Sequence, residues 1–350
     1  MTTTMPPKFP AAVVRDWGKL EITDIPAFPL GPYDAVCRIE ACSVCAATDS
    51  HLVEGAFPRA WTSKLPFVLG HESAGHLVAV GPKVRNLKVG QLVVRPMWMP
   101  DGGTHGGFGS SWGGFSTWGI ARDTWAEAED TGNPTSYWWR NSLPLPEMPV
   151  RDATLFVTWR DTMSCLLQLG VKAGQRIAVF GTGGNGLSFT RFAHLNGAQV
   201  VVVGNPSRFA LATRLGAKAC VDYRGGDKVA PAVKDAFGGA GADLIIEAVG
   251  TAGHVPQMLA SLAEGGQLFL FGVPGDLQFP GNLYQGPGRY TIVKKSADEW
   301  QSHGQVLTYY LSGQIKPEDF TDGEVPLAKI NDGFAAIKRK EAIKITVNMQ

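Results

Sequence analysis

The sequence predicts an α/β protein in two parts, a mostly antiparallel β domain and a doubly wound domain built on a parallel sheet. Three observations carry this. Between about residues 172 and 293, short apolar runs alternate with stretches of helical period, the order that a parallel sheet covered on both faces requires. The first 160 residues instead hold short strand-like pieces broken by Pro and Gly, the pattern of a compact antiparallel fold. At 350 residues the chain is long enough for two separate cores.

In the alternating part, "RIAVFG" (176–181) is apolar, β-branched and ended by glycine, and reads as a buried strand. The helical stretch "GLSFTRFAHLNG" leads to a second strand, "QVVVVG" (199–204). "SRFALATRLGA" is helical in period and "ACVDY" reads as a third strand. "ADLIIEAVG" and "GQLFLFG" supply two more, separated by the helix-like "VPQMLASLAEG". In the N-terminal part the strand-like pieces are "AVCRIEAC", "GHLVAVG" and "QLVVRP". Residues 97–140 lack periodicity and read as long loops, which in a compact domain tend to be functional. Six of the ten tryptophans fall between Trp98 and Trp139, either as core packing or as the walls of a pocket. The tail ends in a helix and an alternating strand, "AIKITV", suited to return to the first domain.

Composition narrows the function. Hydrophobic content of 44% and charged content of 18% describe an ordinary soluble globular protein. A formal charge of +1 gives no reason to expect nucleic acid or anionic lipid as a partner. The start shows no basic region followed by an apolar run, so no secretory signal is expected, and no apolar stretch is long enough to span a bilayer. Five cysteines, an odd number, fit a reducing compartment and a cytoplasmic location.

"FGTGGNG" places Gly181, Gly183 and Gly186, with Gly184 between them, in the G-x-G-x-x-G spacing at the end of a predicted strand and the start of a helix. That context allows a tight turn, close approach of a pyrophosphate and helix N–H groups aimed at anionic oxygens, so a Rossmann dinucleotide site is expected. An NAD site usually carries an acid at the end of the second strand to accept from the ribose hydroxyls. Here the sequence reads "VVVVGNPSRF", without one. Gly204 with Asn205, Ser207 and Arg208 can accommodate a 2′-phosphate, and Tyr223 can flank the adenine, so NADP is favoured over NAD. The alternative for Arg208 is a solvated helix residue.

"LPFVLGHESAGHLVAVGPKVRNLKVGQLVV", with the region from Cys45 and the nucleotide fold, resembles the zinc-dependent alcohol dehydrogenases of the medium-chain dehydrogenase/reductase superfamily. The resemblance spans nearly the full chain, from "AVV" near residue 12 to "AIKITV". It implies a GroES-like catalytic domain, residues 1–161 and 295–350, around a Rossmann domain, residues 162–294. It also implies one catalytic Zn2+ held by Cys45, His71 and, aligned on "GVKAG", Asp161. The alternative for Asp161 is a helix cap, and Cys165 is the reserve ligand. Three protein ligands of S, N and O type leave zinc one open position, where it acts as a Lewis acid on an alcohol. Thr48 and His51 match the family's proton relay, Asp49 stands behind His71, and Glu72 is an alternate ligand or electrostatic tuner. Cys42 is expected only to pack.

The chain departs from the family pattern in two places. The usual Cys-Gly-Thr-Asp is here "CAATD", one residue longer, which puts the placement of Thr48 in question. The region that carries four structural-zinc cysteines in many members has none here, so no structural zinc is expected. The stretch "ARDTWAEAEDTGNPTSYWWRNSLPLPE" also looks longer than a typical connection, and is expected to shape the substrate pocket or a subunit contact. The expected activity is hydride transfer between NADP and a small-molecule secondary alcohol, polyol or sugar, in a homodimer or homotetramer. The competing readings are a zinc-free quinone or enone reductase and a non-catalytic nucleotide-binding relative.

Overall fold

The apolar runs of the second half form one parallel sheet in a computed structural model that describes residues 5–56, 64–133, 139–272 and 283–350. The chain divides into two compact units, Met1–Val157 with Thr321–Gln350, and Thr158–Phe320.

In the second unit the strands run in the spatial order Ala217–Asp222, Gln199–Gly204, Arg176–Phe180, Ala242–Glu247, Leu262–Leu270, Tyr290–Val293. This is the 3-2-1-4-5-6 order of a dinucleotide-binding sheet, whose switch point falls beside the first strand. Arg176–Phe180 pairs in parallel with both Gln199–Gly204 and Ala242–Glu247. Val201, Val203, Ala178, Phe180 and Ile245 bury one face against Val229, Val233, Met258 and Leu259 of the covering helices. Each fully buried Val, Leu or Ile side chain contributes about 1.5–3 kcal/mol. The helix Val229–Ala236, between the third and fourth strands, was not among the sequence expectations.

The first unit is mainly antiparallel. Asp34–Ser43 is its organising strand, pairing with Glu72–Val80, Trp118–Arg122 and the C-terminal strand Ile345–Asn348. The tail therefore returns to the first unit as expected, with Thr346 opposite Ser43. A second sheet is ordered Lys19–Pro26, Lys8–Asp16, Phe67–Val68, Phe108–Ser110, Thr104–His105.

The expectation of loops over 97–140 is corrected. Trp118–Arg122 is a strand and Thr124–Thr131 a helix capped by Asp123, whose carboxylate accepts the Ala126 N–H. The strand forms because Asp34–Ser43 offers it a backbone edge, a long-range contact that local composition does not reveal. Trp98, Trp112, Trp118 and Trp139 are buried while Trp125 is largely exposed, and Trp138 lies outside the described residues.

Candidate metal centre and nucleotide turn

Cys45 lies two residues beyond the strand that ends at Ser43, where the chain turns out of the sheet. The extra residue of "CAATD" is absorbed by a helical turn. The Asp49 N–H donates to the Cys45 carbonyl at 3.2 Å, and Asp49 Oδ2 accepts the Cys45 N–H at 2.8 Å. Thr48 thus opens the helix Thr48–Glu54, and His51 follows one turn later on the same face. Glycine is needed at Gly55, which ends this helix at φ +70°.

His71 immediately precedes the strand Glu72–Val80, whose first residue lies opposite Ser43. One donor atom each from Cys45, His71 and Glu72 lies within 4.8 Å of the others, a cluster among the described residues of a thiol, an imidazole and a carboxylate. Cys45 and Glu72 are buried, and His71 nearly so. His71 Nδ1 is 3.2 Å from Asp49 Oδ1, close enough for an ion pair but not aligned as a hydrogen bond. Burial works to lower the His71 pKa, but the charge of Asp49 and the contacts with Asp49 and Cys45 outweigh it and raise the pKa to about 10. Trp112 packs against the imidazole, its ring tilted and the centroids 5.0 Å apart.

These donors fit a zinc ion. Sulfur, nitrogen and oxygen converge, and a carboxylate stands behind the histidine, as in carboxylate–histidine–metal pairs. Buried His51 Nδ1 has no hydrogen-bond partner among the described residues. Cys42 is buried with its thiol pKa pushed well up by desolvation, in keeping with packing alone.

Asp161 belongs to the second unit. It lies inside the helix Val150–Leu169, with its carbonyl accepting from Ser164 Oγ at 2.9 Å, so the helix-cap alternative is corrected. Cys165, one turn on, has its pKa raised well above the ordinary thiol value by burial and then by the Asp161 charge.

The nucleotide turn has the geometry that its glycines require. A side chain at Gly186 would meet the Gly181 carbonyl oxygen at 2.1 Å, so helix and strand approach more closely than any Cβ allows. Gly181 adopts φ +131°, and Gly183 caps the helix Gly184–Leu195. At Gly204 a Cβ would lie 2.2 Å from Thr182 Cγ2, leaving no room for an acidic side chain. Thr182 Oγ1 accepts the Asn205 N–H at 3.1 Å, and Asn205 Oδ1 accepts the Ser207 N–H at 3.1 Å. Arg208 turns back to donate from Nη1 to the Thr182 carbonyl at 2.8 Å, rather than pointing into solvent. Tyr223 starts the turn after the third strand, its ring edge-on to His254 at 5.7 Å.

The second unit has a sheet of dinucleotide-binding order, and the first unit holds a buried S, N, O donor set of a kind that suits zinc. The alcohol dehydrogenase GroES-like domain family model matches residues 31–128, and the zinc-binding dehydrogenase model matches residues 184–289. An alcohol dehydrogenase of Geobacillus stearothermophilus is 30% identical over 349 residues, covering 94% of this chain and 95% of that protein. A geraniol dehydrogenase of Castellaniella defragrans is 30% identical over 371 residues, covering 95% and 96%. The crystal structure of an alcohol dehydrogenase zinc-binding domain protein from Burkholderia ambifaria shares the fold, with TM-score 0.81 at 24% identity over 98% of this chain and 99% of that one. The chain belongs to the zinc-type alcohol dehydrogenases of the medium-chain dehydrogenase/reductase superfamily.

Proposed function

We propose that the chain is a zinc-dependent, NADP-linked dehydrogenase of a secondary alcohol, polyol or sugar. The convergence of Cys45, His71 and Glu72 donor atoms within 4.8 Å carries this reading. Cys45 and His71 hold the metal, with Asp161 as the third ligand and Cys165 in reserve. A bound Zn2+ supplies Lewis acidity that makes an alcohol proton easier to remove at neutral pH. Thr48 and His51 carry that proton outward. The Thr48 hydroxyl passes it on, and His51 Nδ1, buried and without a partner among the described residues, receives it. Asp49 keeps the His71 ring oriented, and Trp112 packs against that ring.

The NADP preference rests on the space around Gly204. Thr182 fills the place of an acidic side chain, and no carboxylate there repels a 2′-phosphate. Gly181, Gly183, Gly184 and Gly186 receive the pyrophosphate, Asn205, Ser207 and Arg208 the phosphorylated ribose, and Tyr223 the adenine. Relatives include proteins named sorbitol dehydrogenase and L-threonine 3-dehydrogenase, which supports a secondary alcohol as the substrate class. Cytoplasmic residence and a homo-oligomer of two or four chains belong to the same reading.

A panel of secondary alcohols, polyols and sugars, run with NADP and NAD in parallel, tests it. Turnover with NADP exceeding that with NAD is expected. A strong preference for NAD contradicts the roles given to Gly204 and Arg208, and turnover of quinones or enones alone contradicts the reaction class.

A further inference from the structure

The second unit carries a cavity of about 320 Å³ whose polar lining is Arg191, Arg214, Gln314, Lys316, Glu318 and Asp319. Its size falls at the lower end for small-molecule sites, roughly 300–1,000 Å³. Arg191 lies on the helix Gly184–Leu195, about 10 Å along its axis from Gly184 in the nucleotide turn. Arg214 ends the helix Phe209–Arg214, and the other four residues follow the helix His303–Leu311.

The segment after that last helix is firmly held. The N–H groups of Gln314 and Ile315 both donate to the Tyr309 carbonyl, at 2.9 and 3.2 Å. Ile315 and Phe320 are buried. Arg191 Nε and Nη2 donate to the Gln314 carbonyl at 2.8 and 2.6 Å. This grip fixes the guanidinium plane and leaves Nη1 without a hydrogen bond or ion pair among the described residues. Arg214 Nε and Nη2 both donate to Asp319 Oδ1, at 3.0 and 2.6 Å. Asp319 is thus committed to Arg214, while Lys316 Nζ has no partner among the described residues.

Three cations therefore line the cavity with two carboxylates, one of them already engaged. Arg191 is half-buried, and desolvation lowers its pKa against the opposing charge of Asp319. A charge drawn partly out of water, with only a carbonyl as partner, is costly unless an anion completes it. Tethering the segment to the helix explains the Gln314 bonds. It does not explain why Arg214 and Lys316 line the same cavity. A guanidinium held in a fixed plane is suited to a planar or tetrahedral oxyanion, which it can bind through two parallel N–H groups.

We propose that this cavity binds a phosphate-type oxyanion, held by Arg191 and Lys316, with Arg214 kept in place by Asp319. The anion is free phosphate or a small phosphate monoester, for whose organic part the cavity has room. The site is separate from the nucleotide turn, and the inference does not depend on which nucleotide the turn takes.

The test is calorimetric titration of the full chain with inorganic phosphate and with glycerol phosphate at constant ionic strength. Saturating nicotinamide nucleotide is present, so that the nucleotide turn is filled. One anion per wild-type chain is expected. Arg191→Met and Lys316→Met should each weaken binding about tenfold or more, the size of a lost charge-assisted hydrogen bond. Lys172→Met, which removes an exposed lysine elsewhere on the same unit, should leave the affinity unchanged. The tighter of the two probes tells free phosphate from a monoester. Lys316 is exposed, so its variant decides the matter if Arg191→Met does not fold. Absence of saturable binding by wild type overturns the proposal, as does wild-type affinity in Lys316→Met. Equal weakening in Lys172→Met also overturns it, because that would show only diffuse attraction to a cationic surface.

Discussion

Asp49 and His71 meet through Oδ1 and Nδ1 at 3.2 Å, while the other oxygen of the same carboxylate accepts the Cys45 N–H at 2.8 Å. One side chain therefore fixes both the imidazole and the cysteine turn. Asp49→Asn keeps an acceptor for the Cys45 N–H but removes the charge behind His71. Metal affinity is expected to fall about 10–100-fold, with the fold intact. Competition with a chromophoric chelator measures it, and wild-type affinity would show that the carboxylate plays no part.

Asp101 gives a pH dependence. Burial raises its pKa to about 6, against the smaller opposing effects of the Gly102 N–H, the Ser111 hydroxyl and the His71 charge. The folded state then holds the proton more tightly than the unfolded chain, whose Asp titrates near 3.8. Stability from this group is full below that value and is lost as pH rises towards 6. Asp101→Asn should therefore be more stable than wild type at pH 7.5, with the difference vanishing below about pH 4. Urea unfolding at both pH values checks this, and a difference independent of pH contradicts it.

The contact of Gly204 with Thr182 limits what can be changed at the cofactor turn. Gly204→Ala places a Cβ 2.2 Å from Thr182 Cγ2, and overpacking of this kind costs about 1–3 kcal/mol. Adding Thr182→Ala should restore most of that loss. Thermal unfolding of the two single variants and the double variant tests the coupling, and simple additivity would exclude it.

Arg160 and Glu299 form a second buried pair within the second unit, Nη2 donating to Oε2 at 3.0 Å with side chains 0% and 3% exposed. Glu299→Leu alone leaves a buried guanidinium without its carboxylate and should cost about 3–5 kcal/mol. Arg160→Met with Glu299→Leu should cost much less. Denaturant midpoints for the two variants decide between them, and equal losses would contradict the ion-pair account.

The nucleotide half of the fold was legible because each strand announces itself locally. "RIAVF", "QVVVV" and "ADLII" are continuous apolar runs, and glycines stop the first two. Cys45 and His71 were legible as ligands from the sequence, with Asp161 expected as the third and Glu72 as an alternate, and it is Glu72 that converges with them in the structure. The strand Trp118–Arg122 was not legible, because its partner strand begins at Asp34. Lys344 was missed for a related reason. In "AIKITV" it reads as the solvated member of an alternating strand, and only the distant Glu72 makes it a buried one. The extra alanine of "CAATD" resisted local reading too, since the Asp49 N–H to Cys45 carbonyl bond that absorbs it is a property of the folded turn.

The central claim is that Cys45 and His71 hold a catalytic metal, and zinc content measured on purified wild type and Cys45→Ala tests it most directly. About one zinc per wild-type chain is expected, and almost none in the variant, since the site loses one of its three protein ligands. Less than about one zinc per two wild-type chains, or full zinc in Cys45→Ala, would contradict the account.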